Sequence, residues 1–125
     1  MKLSSFLVIK AIVCLVFGIG FTLIPIAVMS VYGASLDTAG EYMSRLFGAV
    51  FIGIGLICWL CKSTDSIALK GITLALCIAD TIGFIVALSY QLSGFMNALG
   101  WINVALWLLF ALGLGYFRFI KLSTT

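Results

Sequence analysis

The stretch GITLALCIADTIGFIVALSYQLSGFMNALGWINVALWLLFALGLGYF, residues 71–117, carries a single charge, Asp80. As one helix it would run roughly 70 Å at 1.5 Å per residue, against a hydrocarbon core of roughly 30 Å. It must therefore fold back on itself. The polar cluster within it, Gln91-Leu92-Ser93-Gly94 with Asn97 just beyond, marks the turn. Two spans result, at about 68–91 and 96–117. Toward the N-terminus, residues 46–61 and 11–36 are also free of charge. They predict spans at about 40–61 and 5–31, each near the roughly 20 residues that crossing a membrane requires. The strict two-residue alternation of a transmembrane barrel is absent. The expected fold is an all-α, integral membrane four-helix bundle forming a single transmembrane domain over residues 1–125.

Composition agrees with that reading. Of 125 residues, 64% are hydrophobic, 9% are charged and none is His, and the mean hydropathy is +1.31. A soluble domain carries roughly 25% charged residues. Four acids and seven bases cannot cover a water-facing surface, which excludes a soluble enzyme, a disordered segment and a nucleic-acid binder.

Orientation follows from the bases. Lys2 and Lys10, Lys62 and Lys70, and Arg118 and Lys121 mark the two termini and the middle loop, whereas the 32–42 segment holds Asp37 and Glu41. Both termini are expected to face the cytoplasm, in an inner (cytoplasmic) membrane. Lys2 and the apolar run after it have some of the look of a signal peptide. That run is about twice too long and Lys10 interrupts its start, so the first span is expected to remain. Lys10 is expected to snorkel to the inner interface. Tyr32, Tyr42, Tyr90 and Trp101 on one side, and Trp59, Tyr116 and Phe117 on the other, read as interfacial aromatic belts.

Helices in lipid associate through small residues. The third span offers Gly71, Ala75, Ala79, Gly83 and Ala87 at four-residue spacing, the second Ala49 and Gly53 beside Gly48, the first Gly18 and Gly20, and the fourth Gly113 and Gly115. Packing within the bundle accounts for such faces more simply than a homodimer seam does. Pro25 is placed to kink the first span near its end. Thr38-Ala39-Gly40-Glu41 fits a capping box, with Glu41 and Arg45 then neighbours on one helix face.

Asp80 is the most informative residue. Ten positions after Lys70, it lies about 15 Å into the membrane, where an Asp costs roughly 2.5–3.5 kcal/mol. It should be paired, protonated or facing a wet cavity. Arg45, 17 positions before Lys62, is the expected partner, at about 25 Å; Asn103, 15 positions before Arg118, shares its level at about 22 Å. The candidate ligand-binding residues are therefore Arg45, Asp80 and Asn103, with Thr81 and Gln91 as contributors. Their polar pocket would hold the head of a lipid-like or small amphipathic molecule. The competing reading is a buried ion pair that fixes helix register.

Cys14, Cys58, Cys61 and Cys77 fall in the cytoplasmic half, and Cys58-Trp59-Leu60-Cys61 has the C-x-x-C spacing. A redox pair gains its low thiol pKa at a helix N-terminus, whereas this one lies at a helix C-terminus. Packing explains these thiols better than chemistry. With no His, zinc hydrolysis, His-ligated haem and any His-activated nucleophile are excluded. No cofactor or metal is expected.

Tyr32-Gly33 after the first span, Arg45-Leu46-Phe47-Gly48-Ala49 opening the second, Asp80 in the third, and Ser93-Gly94 with Gly100-Trp101 around the fourth resemble small uncharacterised prokaryotic four-span proteins, DoxX-like in outline. The resemblance covers nearly the whole chain in layout and implies a four-helix membrane bundle. Some DoxX-like proteins are linked with quinone or thiol redox systems; a recognisable redox site is not evident in these residues.

Three functions compete. The first is binding of a membrane lipid or amphipathic small molecule, Arg45 neutralising an anionic head. The second is an accessory subunit of a membrane complex or a homodimer, docking through the small-residue faces. The third is a small proton-coupled carrier using Asp80. An enzyme would have only Asp80 with Arg45 as its acid–base pair.

Overall fold

The computed structural model describes residues 1–121. Those residues are all-α: α1 (Leu3–Leu23), α2 (Pro25–Val31), α3 (Thr38–Leu60), α4 (Ser66–Leu92) and α5 (Gly100–Tyr116), the last continuing into a π-helical turn, Phe117–Lys121. Four stretches are long and apolar enough to cross a membrane: α1, α3, α4, and α5 with its π-helical extension. Ile12, Val16, Ile19, Val50, Leu56, Ile82, Ile85, Leu109 and Leu112 are exposed along these helices. A water-soluble surface does not carry apolar side chains at that density. The chain is a multi-pass membrane protein.

The chain forms two compact units, Met1–Lys62 and Ser63–Thr125. Each is an antiparallel helical hairpin.

In the first unit α1 packs against α3. The buried positions of α1 are Leu3, Phe6, Leu7, Lys10, Ala11, Cys14 and Gly18, the spacing of one helical face. The closest approach is at Gly18 and Gly48. A Cβ on Gly18 would lie 2.9 Å from the Gly48 carbonyl oxygen, and one on Gly48 would lie 2.6 Å from both the Gly18 carbonyl oxygen and the Thr22 nitrogen. Glycine is required there because backbone meets backbone. Gly55, against Leu15 and the Ala11 carbonyl, extends the seam.

The first span is not one helix to residue 31. It breaks at Ile24 (φ −136°, ψ 56°), and Pro25 opens α2 at its first position, where a missing N–H costs nothing. α2 then closes in a Schellman turn. Gly33 adopts φ 76°, its N–H reaches the Ser30 carbonyl and that of Ala34 reaches Met29. The cap of α3 is Asp37, whose carboxylate accepts from the Gly40 N–H at 2.7 Å. The expected Thr38 cap is thus displaced by one residue, since a carboxylate at the positive end of the helix is the stronger acceptor. Lys10 does not snorkel: at 3% exposed it belongs to the packed stripe of α1.

In the second unit Asp65 caps α4, accepting from the Ile67 and Ala68 N–H groups at 3.1 and 3.0 Å. The far end of α4 repeats the Schellman turn: Gly94 has φ 81°, and the Gly94 and Phe95 N–H groups bond the Gln91 and Tyr90 carbonyls. The Tyr90 and Phe95 rings meet edge to face at 5.8 Å, the hydrophobic contact such a turn favours. The chain therefore reverses where the polar cluster marked it. α5 packs on α4 with Trp107 over Gly83 and Cys77 beside Gly115.

Gly18, Gly48, Gly83 and Gly115 make the expected close contacts within their units, but other small residues do not. A Cβ on Gly53 or Gly71 would meet nothing within 4 Å, and Gly71, Ala75 and Ala79 are exposed. Of the two glycines in the α4 stripe, Gly83 carries an interhelical contact within the unit and Gly71 does not. Two belt aromatics, Tyr32 and Phe117, are buried at 8% and 4% exposed; Tyr42, Trp59, Tyr90, Trp101 and Tyr116 are exposed.

Candidate functional site

The residues singled out by the sequence divide between the units. Arg45 belongs to the first; Asp80 and Asn103 belong to the second.

Arg45 lies two turns into α3, with its side chain 46% exposed. Its Nη1 donates to the Thr22 carbonyl at 2.6 Å and lies 3.5 Å from that of Leu23. Its Nη2 donates to Glu41 Oε1 at 3.1 Å, the expected pairing one turn apart. The carbonyl bonds were not foreseen. They exist because α1 stops at Leu23, which leaves carbonyls in its last turn without intrahelical donors. A guanidinium satisfies them and complements the negative end of the helix.

The same end of this unit holds an open apolar groove of about 380 Å³, lined by Phe21, Met29, Met43, Ser44 and Phe47. Its floor is aromatic. Phe21 stacks on Phe17 with ring centroids 6.3 Å apart, meets Phe47 edge-on at 5.6 Å, and Phe47 lies 4.2 Å from Phe51. Among the described residues, Ser44 is the one polar side chain of the lining. Sequence reasoning passed over this groove. The available signal was two Phe pairs at i, i+4, Phe17–Phe21 and Phe47–Phe51, on helices that had to run antiparallel.

In the second unit Asp80 is 2% exposed and shares a face of α4 with buried Thr73 and Leu76. The contacts of Gly83 with Trp107 and of Cys77 Sγ with the Ala111 carbonyl at 3.5 Å set the helix register. They put Asp80 between the levels of Trp107 and Ala111. Asn103 lies one turn beyond Trp107, so it stands about 10 Å along the pair from Asp80. Its Nδ2 is 4.0 Å from Met96 Sδ.

Thr81 is exposed and its hydroxyl donates to the Cys77 carbonyl at 2.8 Å. Gln91 braces the turn, Nε2 donating to the Asn97 carbonyl at 3.0 Å while Oε1 packs against Gly100 without a hydrogen-bond partner.

Cys14 and Cys58 are buried, and Cys61 and Cys77 are half-buried. Cys58 is fully buried, as a packing residue would be. No group of three or more His, Cys, Asp or Glu side chains among the described residues is placed to hold a metal ion.

Compared with family models, curated proteins and solved structures, the chain matches none.

Proposed function

We propose that this multi-pass membrane protein binds a lipid-like or small amphipathic molecule, one apolar chain of which lies in the groove of the first unit. The observation that carries the reading is the groove itself. Phe, Met and a single Ser form its walls, a lining suited to hydrocarbon. Both Met side chains add the adaptability of flexible thioethers. It opens on a span whose surroundings are themselves hydrocarbon, so a chain enters without leaving an apolar medium. In the second unit, Asp80 and Asn103 are candidates for a separate polar contact with a molecule of that class, apart from the groove.

Native mass spectrometry from mild detergent tests this. The expected spectrum shows one small molecule retained in stoichiometric amount, and its loss in Ser44→Phe, which fills the groove. A bare chain, or a random spread of membrane lipids, overturns the reading. Asp80→Asn and Asn103→Ala, measured the same way, decide whether either residue contributes.

A second reading, an accessory subunit of a membrane complex, is favoured by the open small-residue positions Gly53 and Gly71. Such positions let a partner helix approach closely. Affinity capture from native membranes checks it, and a chain that always elutes alone ends it. In either case both termini are proposed to face the cytoplasm, which labelling of Lys2→Cys and of Lys121→Cys, each in a chain whose four native cysteines are replaced by Ala, would test in intact cells.

A further inference from the structure

One side chain links the helix break of the first unit to its groove. Thr22 and Leu23, which receive the Arg45 guanidinium, are the last two residues of α1. Met29, on α2, forms a wall of the groove. Between them lie Ile24, the break itself, and the first turn of α2. Arg45 is not a lining residue. At 100° per residue, Met43, Ser44 and Phe47 occupy one flank of α3, and Arg45 points roughly 150° away from their middle.

We propose that Arg45 is a positioning residue. It caps the end of α1, fixes the direction in which α2 leaves Ile24, and so sets the Met29 wall against Phe21 and Phe47. Glu41 holds the guanidinium in place from the other side. The inference rests on the groove being the ligand site and makes a distinct claim about it. A guanidinium touching the ligand would select anionic heads; one acting through α2 is blind to the charge of the head.

The test compares retention of phosphatidylglycerol, which is anionic, and phosphatidylcholine, which is zwitterionic, with identical acyl chains, added to the purified protein in mild detergent. Arg45→Ala is expected to lower retention of both by a similar factor, roughly tenfold, the size of one lost charge-assisted hydrogen bond. Amides of residues 26–31 should exchange faster in the same variant. Arg45→Lys keeps the charge but loses the forked geometry, so it should fall between wild type and Arg45→Ala; Glu41→Gln should shift both readouts in the same direction by less. These two carry the test if Arg45→Ala fails to fold. Loss confined to phosphatidylglycerol makes Arg45 a head contact and overturns the proposal, as do unchanged retention and exchange. Separately, retention unaffected by Ser44→Phe in an otherwise native chain removes the groove, and the reading of function falls on that result rather than on any Arg45 variant.

Discussion

At Gly18 and Gly48 the two long helices of the first unit touch backbone to backbone. In the second unit the corresponding contact is a ring against a backbone, Trp107 over Gly83. Both are close approaches made by glycine, yet they respond differently to an added methyl group. A backbone cannot move without moving its helix, whereas a side chain can change its torsions at a cost of order 1 kcal/mol. The first seam is therefore rigid and unforgiving, and the second adjustable. The difference extends to the long helices themselves. α4 runs unbroken for 27 residues; the first span is interrupted at Ile24 and held by Arg45.

The same Gly→Ala change at four positions can break or sharpen this contrast. Gly48→Ala should have the largest effect, about 3 kcal/mol or more of lost stability, because the new Cβ meets the Gly18 carbonyl and the Thr22 nitrogen. Reversible unfolding in lipid bicelles measures it, and a loss below 1 kcal/mol would show that the helices separate freely. Gly83→Ala should cost less, about 1–2 kcal/mol, since Trp107 can rotate; indole fluorescence should shift as the ring moves. Asp65→Ala removes an acceptor for two N–H groups and should cost about 1 kcal/mol, with faster amide exchange confined to the first turn of α4. Smallest of all, Gly53→Ala and Gly71→Ala meet open space and should lie within about 0.5 kcal/mol of wild type, tending to stabilise because Ala is the better helix former. A loss above 1 kcal/mol at either, in the thermal midpoint series, would mean that the position is covered.

The charges made the spans legible. Asp80 as the single charge of 71–117, and Gln91-Leu92-Ser93-Gly94 as its polar cluster, were enough to place a reversal, because lipid tolerates neither charge nor unsatisfied backbone without a reason. Which small residues pack was not legible. Four-residue spacing marks a face of α4 but not the depth at which a neighbouring helix crosses it, and that depth depends on side chains such as Trp107. The carbonyl bonds of Arg45 were not legible for a related cause. Its acceptors, the Thr22 and Leu23 carbonyls, are backbone atoms common to every residue, and they become available only because the helix stops. The groove depends in turn on where α2 goes after that stop. A pattern of residue types carries such information only once the break has been placed.

The two Schellman turns, at Gly33 and Gly94, bear on how the chain is made. Each reverses the backbone with its own hydrogen bonds and stands inside its own hairpin, so neither fold-back waits for the rest of the protein. The second unit is 63 residues long, which at roughly 5–20 residues per second takes a ribosome on the order of 3–13 s. Helix formation and loop closure are far faster than that. The first hairpin has its turn, its glycine seam and its Arg45 cap in hand throughout that interval, and can leave the insertion machinery as a finished piece before the second begins to pair.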